Sequence, residues 1–144
     1  MAEYIYTPIQ NVGYRDTVLF EGSCPCNRGA VIHQDGTGLF TLRGPSCPNQ
    51  SGARYQMTFV GNIAVPTGGT VGEISVAIVR DGAILGQSLA ASTPAAVEEF
   101  NNVTSTTYVT VPKGCCWTFS VQNTSDTAEA IEVRNANLVI TRIA

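Results

Sequence analysis

The residues most able to do chemistry in this chain are thiols. Cys24-Pro25-Cys26, Cys47 and the lone histidine, His33, are metal-ligating types in the first third of the sequence. Zinc sites usually pair their thiolates at wider spacing, as Cys-x2-Cys. Cys-x-Cys with one imidazole and one distant thiol falls short of that pattern. No metal and no cofactor is therefore assigned. Cys24, Cys26 and Cys47 remain a candidate disulfide or thiol cluster, with Cys47 bonded to either partner in an oxidising setting. Five cysteines are an odd number, which argues against a complete intrachain framework, so reduced thiols are the default. Cys115-Cys116 is a different case. Neighbours in a strand point to opposite faces, and a bond between them needs a distorted peptide. The pair reads as two small apolar residues, one toward the core and one away from it.

Catalytic constellations are missing. A single histidine rules out a site with two imidazole ligands, and a Ser-His-Asp triad would have to use His33 with no Gly-x-Ser-x-Gly elbow in the chain. Glu98-Glu99 are adjacent and point apart in a strand, so they do not make a glycosidase pair. No Gly-rich loop opens a helix after a strand. The chain reads as a protein that is not an enzyme.

Charge excludes more. Charged residues make up 13% of the chain, about half the usual share of roughly 25%. The net charge is −3, Lys113 is the only lysine, and the seven arginines are scattered. Nucleic acid therefore lacks its electrostatic footprint. No stretch is long and apolar enough to cross a membrane, and Met1 to Ile5 do not open a signal peptide. The expectation is synthesis in a cytoplasm without secretion. Asn49, Asn102 and Asn123 stand in Asn-x-Ser/Thr sequons and read as polar turn residues. Trp117 and Tyr55 are the aromatics suited to stacking on a sugar, although each lies on the apolar face of an alternating strand and so reads as core.

The elements that must position these residues are strands. From Ala53 to Val65 the odd positions are Ala53, Tyr55, Met57, Phe59, Gly61, Ile63 and Val65, against Arg54, Gln56, Thr58, Val60, Asn62 and Ala64. Alternation of this kind predicts a half-buried strand. A turn at Pro66-Thr67-Gly68-Gly69, a strand through Ile74, Val76 and Ile78, and a hairpin turn at Asp81-Gly82 predict a meander of consecutive antiparallel strands. Shorter strands are predicted at Tyr4–Ile9, Thr17–Glu21, Ala30–His33 and Leu39–Arg43. Residues 93–100 allow at most one helical turn. Alternation resumes from Val103 to Val111. Cys115, Trp117, Phe119 and Val121 then share a face, after the turn at Pro112-Lys113-Gly114. The final strand, Leu138 to Ile143, is apolar on both faces, which implies cover on both sides. The prediction is one all-β domain over residues 1–144, an antiparallel β-sandwich or jelly roll.

Gly52-Ala53-Arg54-Tyr55-Gln56-Met57-Thr58-Phe59, Val76 to Gly82, Val109 to Gly114 with Trp117-Thr118-Phe119, and Asn137 to Ile140 together resemble the tumour necrosis factor/complement globular-head jelly roll. Gly61 to Gly72 and Pro112-Lys113-Gly114-Cys115-Cys116 look more closely like small phage- and prophage-encoded proteins of Gram-positive bacteria. The resemblance covers about residues 39–144. Residues 1–38 match it poorly and are the candidate N-terminal anchoring segment.

The resemblance implies a compact homotrimer. It places the back of the Arg54, Gln56 and Thr58 strand near the neighbouring subunit, with Cys116, Thr118 and Ser120 beside it and Leu138 and Ile140 at the same contact. It also implies a structural protein of a phage particle, acting as decoration, fibre or fibre tip through trimeric assembly and surface adhesion. Its partners would be its own copies and other virion proteins, and its place the virion surface after synthesis in the bacterial cytoplasm. The alternative is a receptor-recognition module that binds a host-surface carbohydrate or protein.

Overall fold

The computed structural model describes residues 2–23, 31–33, 36–45 and 49–143. Cys24, Cys26 and Cys47 lie outside the described residues. Among the described residues there are twelve strands: β1 (Ala2–Tyr6), β2 (Gln10–Val12), β3 (Glu21–Ser23), β4 (Val31–His33), β5 (Phe40–Arg43), β6 (Gly52–Ala64), β7 (Ile74–Arg80), β8 (Ala83–Ile84), β9 (Ala90–Ser92), β10 (Asn101–Pro112), β11 (Cys116–Asn123) and β12 (Ile131–Arg142).

They form two antiparallel sheets. The first runs β10-β6-β12-β1-β3, with β2 also paired to β12; the second runs β4-β5-β11-β7-β8, with β9 also paired to β7. The alternation of β6 holds through the strand: Ala53, Tyr55, Met57, Phe59 and Ile63 are buried. The expected meander does not form. β6 pairs with β10 and β12, while β7 lies in the opposite sheet beside β11. Alternation fixes which face of a strand is apolar but not which strand lies next to it, and here the chain crosses between sheets at the 66–73 turn.

The Asp81-Gly82 hairpin is present as predicted. Arg80 faces Ala83 and Val79 faces Ile84, and both loop residues have positive φ, 48° and 86°. That is the type I′ geometry whose twist matches the flanking strands. Residues 93–100 form bends and a turn with no helix, and the one helical element among the described residues is a single 3-10 turn, η1 (Gly86–Ser88). Thr17 and Phe20 make isolated bridges where a strand was expected.

Aromatic rings join the two layers. Phe20 meets Phe40 at 5.5 Å and Phe59 at 6.3 Å, both edge-on, and Tyr4 meets Phe40 at 4.7 Å. Residues 1–38, the candidate anchoring segment, supply β1 to β4 and buried Tyr4, Val12, Val18 and Phe20 to the sandwich. Tyr55 is fully buried, and its hydroxyl donates to the Arg43 carbonyl at 2.6 Å. Burial pushes its pKa up, against the opposing pull of Arg142.

The C-terminal strand corrects a second expectation. Ile131 and Val133 point inward, and so do Ala136, Leu138 and Ile140. The parity flips because one extra residue is inserted between Arg134 and Asn137, with Asn135 at φ 56°. This is a β-bulge. Leu138 and Ile140 are completely buried in the core of a single chain. They are therefore not on the surface offered to a neighbour. The residues that point outward there are Asn137, Val139 and Thr141.

Candidate interaction face

The outer face of the first sheet is built by register. β10, β6 and β12 place Tyr108 opposite Gln56 and Gln56 opposite Thr141. The next row is Thr106, Thr58 and Val139, and the row after it is Thr104, Val60 and Asn137. Each belongs to the polar or small half of its strand's alternation, opposite the buried residues. These nine side chains carry no formal charge. Thr58 and Thr106 hydroxyls meet at 3.2 Å, and Tyr108 stands half exposed with the Arg54 guanidinium 5.1 Å from its ring centre. On the flank, Asn137 donates to Glu3 at 2.9 Å.

Charge collects at the ends of this face. Arg54 stands at one end. At the other, Asn102, Asn62 and Arg134 form a row, followed by Glu132 opposite Ala64. The amide of Asn102 donates to Asn62, and that of Asn62 donates to Asn135 in the bulge. Arg134 lies over the Phe100 ring at 4.2 Å. Glu98 accepts from the Thr67 N–H at 2.9 Å and its hydroxyl at 3.0 Å. Its hydrogen bond with Glu132, helped by those from Thr67, holds Glu98 below its usual range; the same bond, with some burial, pushes Glu132 up. Sequence reasoning missed this cluster: Glu132 and Arg134 share one side of β12, but Glu98 reaches them only through the end of β6, where its N–H donates to the Val65 carbonyl at 2.7 Å and Ala64 faces Glu132.

The expected contact set divides three ways. Arg54, Gln56 and Thr58 lie on this face, as their alternation requires. Cys116, Thr118 and Ser120 do not lie beside them, because β11 belongs to the other sheet. Ser120 is buried there, and the Thr118 N–H donates to Asp81 in the hairpin turn. Leu138 and Ile140 are core.

Other candidate residues have structural settings. His33 stacks on Phe40 at 4.3 Å, and its Nε2 donates to the Thr37 carbonyl at 3.0 Å. No group of three or more His, Cys, Asp and Glu side chains among the described residues is placed to hold a metal ion. Cys115 and Cys116 are both exposed, which corrects the expectation that one faces the core. The reason is that Cys115 belongs to the turn, its N–H bonded to the Pro112 carbonyl at 3.1 Å, so the core-facing alternation of β11 starts after it. Tyr55 is core, and Trp117 is half buried beneath Arg80, whose guanidinium lies 4.4 Å from the ring centre. Asn123, read as a turn residue, is completely buried.

Comparison with known proteins places this architecture. No family model matches the chain, and no curated protein matches it. Among solved structures, the globular domain of zebrafish complement 1qA protein superposes with a TM-score of 0.65 at 13% identity, over 99% of this chain and 97% of that one. Eiger, a tumour necrosis factor from S. frugiperda, gives 0.66 at 11% identity, over 100% and 92%. The chain has the tumour necrosis factor/complement jelly-roll fold. Both superpositions span more of the chain than residues 39–144, which carry the sequence resemblance. The sugar-binding C-terminal domain of EclA, at 16% identity over 94% of this chain and 79% of that one, reaches a TM-score of only 0.42 and carries no argument.

Proposed function

We propose that this jelly roll is a structural protein of a phage particle, a decoration, fibre or fibre-tip module that works as a homotrimer at the virion surface. The observation that carries the self-assembly is the uncharged outer face of β10, β6 and β12. Interface centres are depleted in charge, and nine neighbouring positions without one suit contact with protein better than contact with water. A closed ring covers the same surface on every copy. Three copies are supported by the resemblance of Gly52–Phe59 to the tumour necrosis factor/complement jelly roll, and the phage setting by that of Gly61–Gly72 and Pro112–Cys116 to phage- and prophage-encoded proteins. Adhesion and assembly need no bond chemistry, in keeping with side chains that pack, stack and hydrogen-bond. Its partners are its own copies and other virion proteins.

Mass measurement in solution at micromolar concentration tests the assembly, with a trimer expected. A monodisperse monomer would overturn it. Val139→Asp and Thr58→Arg set charges on the face and should release folded monomers. Leu138→Asp should instead unfold the chain, since an uncompensated charge enters the core. Peptide mapping of purified particles tests the location; particles that lack the protein would remove the phage reading and leave the trimer intact.

A further inference from the structure

We propose that the end of the sandwich carrying Arg43, Arg54, Lys113 and Arg142 binds an acidic polysaccharide, a glycan whose repeating carboxylate or sulfate groups meet these cations. The four are far apart in sequence, and the surroundings of Tyr55 gather them. Arg54 precedes Tyr55 in β6, and Arg142 of β12 stands opposite it. The Tyr55 hydroxyl donates to the carbonyl of Arg43 at 2.6 Å. Lys113, in the turn after β10, donates its N–H to the Ser51 carbonyl at 2.9 Å, and Ile143 donates its own to the Arg54 carbonyl at 2.8 Å. All four cationic residues are exposed. Among the described residues no carboxylate stands in these rows or in the turn. Glu3 lies further along the first sheet, opposite Val139, and accepts from Asn137, while Asp81 accepts from the Thr118 N–H. Glu73, Glu98, Glu99, Asp126, Glu129 and Glu132 collect instead at the opposite end, around the 66–73 and 124–130 loops.

Charge divided in this way lets one end attract anions although the net charge of the chain is −3. Three of the four cations are arginines, whose planar fork matches a carboxylate with two parallel hydrogen bonds. Around them Asn49, Gln50, Ser51 and Thr110 are exposed, amides and hydroxyls able to bond the hydroxyls of a sugar. Arg142 donates to the Gln50 amide oxygen at 3.2 Å, so cation and amide stand side by side. Nucleic acid fits this end less well. Single strands are held by open aromatic rings on which bases stack. Here Tyr55 is buried, Tyr108 carries the Arg54 guanidinium over its ring, and Trp117 carries that of Arg80. A duplex-binding domain is strongly basic as a whole, and this chain is acidic. The site lies within one chain and needs no second copy, so it stands or falls apart from the trimer.

The test uses four probes: alginate, dextran sulfate, uncharged dextran and a single-stranded oligonucleotide. Calorimetry reads binding, and circular dichroism verifies that each variant is folded. Alginate and dextran sulfate should bind, and dextran should not. Affinity should fall by on the order of tenfold between about 0.01 M and about 0.15 M salt, where the screening length shrinks from roughly 30 Å to roughly 8 Å. Arg54→Glu combined with Lys113→Glu should weaken binding by on the order of tenfold or more, while Glu99→Gln combined with Asp126→Asn, at the far end, should leave it within about twofold of the parent. Failure of both acidic glycans to bind at low salt, binding of dextran as tight as that of dextran sulfate, or indifference to the Arg54 and Lys113 reversals overturns the site. An oligonucleotide that binds more tightly than either acidic glycan overturns the class of ligand. Mass measurement reads the trimer separately, and a monomer that binds alginate upholds this site while removing that assembly.

Discussion

The hydroxyl of Ser125 donates to the side-chain carbonyl of Asn123 at 2.6 Å, inside the protein. The Asn123 amide nitrogen donates in turn to the carbonyls of Val12 at 3.0 Å and Glu129 at 2.8 Å, and the Ser125 N–H returns to Asn123 at 3.0 Å. One side chain thus ties β2, the end of β11 and the 124–130 loop together. Asn123→Ala would take the side-chain partner from the buried Ser125 N–H and from the Val12 carbonyl, and remove the bond to Glu129. At about 1–3 kcal/mol for each buried group left unsatisfied, a loss of about 3 kcal/mol or more is expected. Urea denaturation reads it as a lower midpoint at unchanged slope. A loss under about 1 kcal/mol would show that the loop does not depend on this network.

Gly82 meets nothing within 4 Å of where a Cβ would stand, so space is not its constraint. Its φ of 86° is. Gly82→Val should lower stability by about 1 kcal/mol or more, and Gly82→Asn by clearly less, since Asn tolerates positive φ and a β-branched residue does not. Equal melting temperatures for the two variants would contradict the strain account.

The Glu98–Glu132 pair gives stability a pH dependence with a definite sign. Glu132 is raised in the folded state, so its contribution is present below the ordinary carboxylate range and is lost as pH rises through its elevated value. Glu98 is lowered, so its contribution is present above that range and is lost as pH falls through its depressed value. Glu132→Gln keeps a donor for Glu98 and cannot ionise. It should match the parent near pH 4 and exceed it increasingly toward neutrality. Superimposable stability curves from pH 4 to 8 would mean that Glu98 and Glu132 do not hydrogen-bond in the folded protein.

Cys115 and Cys116 should react with a thiol reagent in the native protein, because both are exposed, one in the β10–β11 turn and one at the start of β11. Cys115→Ser with Cys116→Ser should remove two fast equivalents and leave the melting temperature nearly unchanged. Unfolding of that double variant would reveal a packing role for them.

How much of this was legible beforehand follows from the range of each signal. Side-chain parity is local, so Ala53 to Ile63 could be read as a core face and Arg54, Gln56 and Thr58 as its outward back from the order of residues alone. The Asp81-Gly82 turn was legible for the same reason: positive φ is a demand on one or two residues. Jelly-roll class also followed, from short strands, frequent turns and the resemblance of particular stretches. Strand adjacency was not legible. Nothing within Cys116 to Ser120 states that β11 pairs with β5 and β7 in the opposite sheet, because that choice is made by the summed burial of both layers. The bulge at Asn135 was equally hidden. One inserted residue turned Leu138 and Ile140 inward and left Val139 outward, so an apparently two-faced apolar strand became an ordinary half-buried one. The same long-range pairing assembled Glu98, Glu132, Arg134 and Phe100 from separate parts of the chain. Sequence alone determined which side chains each strand would bury; only the tertiary structure decided which strands would meet, because that depends on contacts between residues far apart along the chain.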